Sequence, residues 1–245
     1  MSEKIALSIY EHADDQHKMN RAGILRDILL VLTPWLILGV IGARLGDDTT
    51  LGGVMITLAY VLSVVLATVV LKRRGSGWRE IGLARPDSWR KTILLGLGAF
   101  VVTTLAYLAI QIIMQNLPGL EIAPADKSSH NPIYGNLPLL ILYLVAAWTT
   151  IGFGEEMLFR GFLLNSLAGF FRHTTARWAL ALIGSSLIFG LAHLSWGIAG
   201  VVETTIMGLV LGFIYLRTGH NLWVTIIAHG LMNTVGFVLV YSGVS

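Results

Sequence analysis

Seven apolar runs, at about 26–43, 51–71, 92–117, 137–171, 178–195, 200–217 and 222–241, dominate this sequence and leave few ways to fold it. Each is near or above the roughly 17–25 residues that a bilayer-spanning helix needs. Composition agrees. Only 13% of the residues are charged and 55% are hydrophobic, where a soluble chain carries roughly a quarter charged residues. The expected fold is an all-α polytopic membrane helix bundle with about seven transmembrane helices, or eight if the long fourth run is split at Gly152–Gly154. The absence of cysteine excludes disulfides, thiolate metal ligands and cysteine nucleophiles.

Residues 1–24 are polar and of mixed charge, too long and too acidic for the leading region of a signal peptide, and read as a cytoplasmic tail. Residues 25–245 read as one membrane domain. The most basic stretch, Lys72 to Lys91, carries Trp78 and Trp89 and suits the headgroup level. Seven helices with the N-terminus inside place all of the 17 lysines and arginines except Arg44 and Lys127 on the cytoplasmic side. Eight helices would send Arg172, Arg177 and Arg217 outside and leave Arg160 in the bilayer, so the positive-inside bias favours seven. The net charge of +3 therefore speaks of topology, not of a nucleic-acid partner. The expected location is an integral, multi-pass membrane protein, in the plasma or inner membrane for a bacterial source.

With the loops set aside, Glu155, Glu156, Arg160, His193, Glu203 and His229 are the ionisable groups left at membrane depth. Charge buried in hydrocarbon costs several kcal/mol, which makes such groups functional candidates. Glu203 lies near the outer end of its helix and is expected to reach water as an interfacial carboxylate. For the others, about 19 residues separate Glu155 from a turn near Thr174, and about 19 separate that turn from His193, so the hairpin brings them level. His229 lies roughly 12 Å along the last helix, with Asn233 one turn deeper. A hairpin projecting by roughly 10–15 Å puts all of these groups in one plane.

Faces matter as well as depth. Glu156 and Arg160 stand four apart in the favourable order for pairing, as do His229 and Asn233, and Phe189 and His193, for sharing a face. One carboxylate can be fixed by the arginine while the other, desolvated, serves as a base. His193 can assist that base on water, and His229 with Asn233 can hold a developing oxyanion. The chemistry implied is acyl hydrolysis, most simply of a peptide bond.

Three motifs carry a resemblance. Glu-Glu-Met-Leu-Phe-Arg at 155–160 is similar to EExxxR, Phe-Gly-Leu-Ala-His at 189–193 to FxxxH, and His-Gly-Leu-Met-Asn at 229–233 to HxxxN. In this order they resemble the CPBP family of intramembrane proteases, which takes in the type II CAAX prenyl endopeptidases and bacteriocin-immunity relatives. The resemblance implies a catalytic core at 137–240 and a membrane-anchored protein or peptide as substrate, cut from the cytoplasmic side. It further implies that Glu155 and His193 activate water, that His229 and Asn233 hold the oxyanion, and that Glu156, Arg160 and Phe189 support them. Two mechanisms stay open. Glu155, His193 and His229 are adequate zinc ligands, but HExxH is absent and three separate helices would supply them, so a metal-free glutamate mechanism is preferred.

Two other classes predict different behaviour: a proton-coupled transporter, and a catalytically silent, immunity-like protein that binds a membrane partner. Among the remaining features, Ser185 and Ser186 are expected to bond back to their own helix. Gly96, Gly98, Gly208 and Gly212 are expected to let helices approach. Trp178, Trp196 and Trp223 read as interfacial belt, and His12, His17, His130, His173 and His220 read as loop or interface residues without a signal.

Overall fold

A computed structural model describes residues 21–45, 50–116 and 122–244. No strand occurs among them. Seven apolar helices follow one another: α1 (21–45), α2 (Thr50–Arg73), α3 (Trp89–Asn116), α4 (Leu137–Phe170), α5 (Arg177–Leu191), α6 (Gly197–Arg217) and α7 (Leu222–Ser242). Six of them are long and apolar enough to cross a membrane; α5, with 15 residues, is shorter. The first 20 residues of the expected tail, with His12 and His17, lie outside the described residues, and α1 already begins at Arg21.

Polar residues set the helix ends where the apolar runs stop. Asn136 accepts a hydrogen bond from the Leu139 amide and starts α4 ahead of Pro138. Asn221 does the same for α7 through the Trp223 amide, and Gly243 ends α7 in the left-handed conformation. Helix α4 runs 34 residues without a break, so the eight-helix alternative is overturned. Gly152 and Gly154 do not split it. The helix is wound wide there instead, in π-turns over Ala147–Gly154 and Glu156–Leu164.

The bundle has two distinct ends. At one, the connector 74–88 is docked: Tyr215 Oη donates to the Ile81 carbonyl at 2.8 Å, the Leu222 amide to the Gly82 carbonyl at 3.1 Å, and Trp223 Nε1 to the Ala84 carbonyl at 3.0 Å. Gly82 must be glycine, because a Cβ there would collide with the His220 carbonyl. Arg74 ties α1 and α4 together, bonding Asp27 at 3.1 Å and Ser166 at 3.0 Å. At the other end lies the segment 122–136, whose Asp126 amide donates to the Trp196 carbonyl and whose Gly135 amide donates to the Tyr241 carbonyl. Short as it is, α5 connects the two ends, since it leaves the turn after α4 and arrives beside this segment.

The glycine expectations divide. Gly208 lies against Ser186 and Gly212 against Leu182, joining α6 to α5, and Gly96 lies against Ile227, joining α3 to α7. Gly98 has nothing within 4 Å and makes no such contact. Ser185 and Ser186 both donate to the Leu182 carbonyl, at 3.2 and 2.7 Å.

Candidate active site

The wide turns of α4 carry the glutamates. In a π-turn the backbone bond runs from residue i to i+5, and such turns concentrate at functional sites. Glu155 (3% exposed) stands between the two wide segments and Glu156 (0%) opens the second, facing α5 and α7. Arg160 is equally buried and donates from Nη1 to Glu156 Oε1 at 2.8 Å. His229, buried on α7, places Nδ1 2.9 Å from the same oxygen. A carboxylate oxygen accepts, so Nδ1 carries the proton and Nε2 is the nitrogen left for chemistry. That Nε2 lies 3.8 Å from Glu155 Oε2, close but beyond hydrogen-bond reach.

The two carboxylates thus differ. Glu156 is held by a cation and an imidazole. Glu155 Oε2 is buried with no hydrogen-bond partner among the described residues, and the same holds for Glu156 Oε2, Arg160 Nη2 and Asn233 Nδ2. Each such atom costs stability, and those of Glu155, Glu156 and Arg160 fall on neighbouring turns of α4, where a ligand's polar atoms would complete the network.

His193 lies just past the end of α5. Its Nδ1 is 2.9 Å from the Phe189 carbonyl, which can only accept, so Nε2 presents its lone pair. Glu155, His229 and Arg160 are the charged groups whose fields reach it. Phe189 is the hub: its ring stacks edge-on with Phe159 and His193 at 4.9 Å each, meets His229 at 6.3 Å, and receives the Arg160 guanidinium at 4.5 Å. A desolvated cation–π contact and an ion pair together hold the arginine. Helices α4, α5 and α7 bring Glu155, Glu156, Arg160, His193 and His229 together, whereas Asn233 Nδ2 makes no hydrogen bond to any of them.

As zinc ligands the expected donors fit poorly. No group of three or more His, Asp or Glu side chains with metal-holding geometry occurs among the described residues, so Glu155, His193 and His229 do not form one.

Two expectations need correction. Glu203 does not reach water: it is 3% exposed, accepts from Lys127 Nζ at 3.0 Å and from Gln111 at 3.2 Å, and Lys127 also meets the Tyr107 hydroxyl. The partner lies 76 residues away, beyond what helix periodicity reveals. Trp196 is not simply interfacial belt either. Its ring lies 4.7 Å from His193 and 5.9 Å from His130, which also packs against Tyr143 and Phe237. This aromatic group and the Lys127–Glu203 pair lie at the end of the bundle beside His193. A tryptophan three residues past a motif histidine was the available signal, and its place at a helix end masked it. Trp178 packs on His220 and Trp223 on Trp89 and Phe153 at the opposite end.

Comparisons with known proteins agree with the motifs. Residues 137–235 match the family model described as type II CAAX prenyl endopeptidase Rce1-like. The chain is similar to CAAX prenyl protease 2 of Saccharomyces cerevisiae, 30% identical over 101 aligned positions that cover 34% of this chain and 32% of the relative. The match thus spans about a third of that relative's length. No solved structure matches. The resemblance read from EExxxR, FxxxH and HxxxN holds over the stretch that carries all three.

Proposed function

We propose that this protein is an intramembrane endopeptidase that hydrolyses a peptide bond of a membrane-associated protein or peptide. The observation that carries this reading is the asymmetry of the glutamates, one paired and one free beside two imidazoles. Glu155 takes a proton from water as the water oxygen bonds to the scissile carbonyl carbon, and His193 Nε2 orients that water. The oxyanion lies against His229 Nε2 and Asn233 Nδ2. Because Nδ1 of His229 already donates to Glu156, Nε2 donates to the oxyanion only when the ring carries both protons. As the C–N bond breaks, Glu155 returns its proton to the leaving amine. Glu156 and Arg160 act as positioning residues by fixing His229.

The similarity to a CAAX prenyl protease supports a substrate held at the membrane, and the ring contacts and ion pair packed beside His193 support approach from the opposite, basic end. Membrane proteomes of cells carrying wild type and Glu155→Gln test the reading. Wild type should yield C-terminally or juxtamembrane-shortened proteins that are missing in the variant, which should still be folded and inserted. Retained cleavage sinks Glu155 as the base. A silent binding protein leaves the two proteomes alike, and a transporter is exposed by proton flux. Loss of cleavage on chelation, with recovery on added zinc, would restore the metal mechanism.

A further inference from the structure

The connector end of the bundle displays charge that the site does not use. Lys72 and Arg73 at the end of α2, Arg79 and Arg85 in the connector, and Arg90 and Lys91 at the start of α3 are all exposed, with only Glu80 and Asp87 as carboxylates in the same stretch. Arg74 differs, being turned inward to Asp27 and Ser166. The display is rigid. Besides the bonds from Tyr215, Leu222 and Trp223, Trp78 Nε1 donates to Thr68 at 2.8 Å and the Leu83 amide to the Trp78 carbonyl at 2.8 Å. Trp89, 42% exposed, stands beside Arg90. Ser88, Arg90, Lys91, Leu94 and Leu95 line a shallow, open depression along the start of α3, where the charged residues give way to exposed leucines.

We propose that this face is a docking surface for anionic phospholipids of the leaflet at that end. Arg85, Arg90 and Lys91 take the phosphate-bearing headgroup, and the exposed Leu94 and Leu95 below them meet the first part of an acyl chain. Charge complementarity requires an anion. A soluble acidic protein would match the cations alone, whereas a phospholipid matches both the cations and the apolar floor that continues into the hydrocarbon layer. The lipid also reaches the helices of the site, because Trp78 and Ile81 of the connector lie against Gly161 on α4 and the connector holds the start of α7. Bound lipid therefore stiffens the seats of Glu155 and His229. The inference does not depend on the catalytic reading.

The test uses the full chain purified in neutral detergent and offered equal phosphatidylglycerol and phosphatidylcholine, with retained lipid read by native mass spectrometry. Wild type should keep phosphatidylglycerol by about tenfold over phosphatidylcholine, and 0.5 M salt should erase most of that preference through screening. R85Q/R90Q/K91Q should approach parity, R85K/R90K/K91R should retain the preference, and R44Q, at the other end, should behave as wild type. Parity in wild type, indifference to salt, or a preference that survives in the triple glutamine variant overturns the proposal. So does tight binding of a poly-glutamate peptide without lipid discrimination. If the triple variant fails to fold, the salt response of wild type decides.

Discussion

Glu156 accepts from both Arg160 and His229, whereas Glu155 Oε2 has no partner, so glutamine at the two positions should act in opposite ways. Glu156→Gln strands the Arg160 guanidinium, whose side chain is 3% exposed. Removing one partner of a buried pair costs about 3–5 kcal/mol. Glu155→Gln alters a side chain whose buried Oε2 has no hydrogen bond and only a 3.8 Å approach from His229 Nε2, and should leave the thermal midpoint unchanged or raised, at the expense of activity. Melting both variants in detergent checks this, and equal destabilisation would mean that the two carboxylates share their partners. Histidines outside the spans give a second prediction. Burial lowers His130 to about 4, helped by the nearby Lys127 charge, and burial alone lowers His220 to about 4. A histidine depressed in the folded state is protonated first in the unfolded chain, so stability is lost as pH falls from about 6.5 to 4. At about 1.4 kcal/mol per unit the loss is at most about 3.5 kcal/mol for each, less where a ring edge meets solvent. His130→Phe keeps the stacking and His220→Asn keeps the left-handed backbone (φ 61°). Their combination should flatten the fall in melting temperature between pH 7 and 5, and an unchanged slope would refute the assignment.

Helix α4 is where sequence reasoning reached furthest and then stopped. The EExxxR spacing was enough to pair Glu156 with Arg160, because residues four apart share a face whatever surrounds them. The wide winding was not legible, since it answers to the packing of α4 against α7. Gly152 shows why. A Cβ there would sit 2.5 Å from the Ala147 carbonyl, brought beside it by the wide turn, and 3.2 Å from the Gly230 amide of α7. Gly230 in turn lies under the Trp148 ring, which is fixed by a 3.1 Å bond to Thr234. Two glycines thus allow the approach that lets His229 touch Glu156. Gly152→Ala meets backbone on both helices, where no rotamer change relieves the clash, and should cost about 2–3 kcal/mol as overpacking does. It should also abolish cleavage. Gly98→Ala and Gly236→Ala, with nothing within 4 Å, should be neutral in both respects. If Gly152→Ala is as silent as these, the close approach does not set the site. The Lys127–Glu203 pair and the His130–Trp196 stack escaped the sequence for a related reason: each joins residues far apart in the chain through loop packing that no periodicity encodes.

For the molecule as a whole, the two ends carry unequal charge, and that inequality predicts an orientation. The connector end exposes Lys72, Arg73, Arg79, Arg85, Arg90, Lys91 and Arg217, whereas the described basic residues of the opposite end are Arg44 and Lys127, the latter spent on Glu203. Lysine and arginine collect on the cytoplasmic side, which predicts that the connector and the turns at 171–176 and 218–221 face inside and the segment 122–136 outside. The absence of cysteine makes this testable without background. Ser88 and Ser128 are both exposed, one at each end. In intact cells a membrane-impermeant maleimide should label Ser128→Cys and spare Ser88→Cys until the membrane is opened. The reverse pattern would invert the protein and bring substrate from the external face, leaving the site geometry untouched. Labelling of both from one side would be more damaging. It would require α3, the one helix between the two serines, not to cross, which would break the contact of Gly96 with Ile227 and take α3 away from the helix that carries His229.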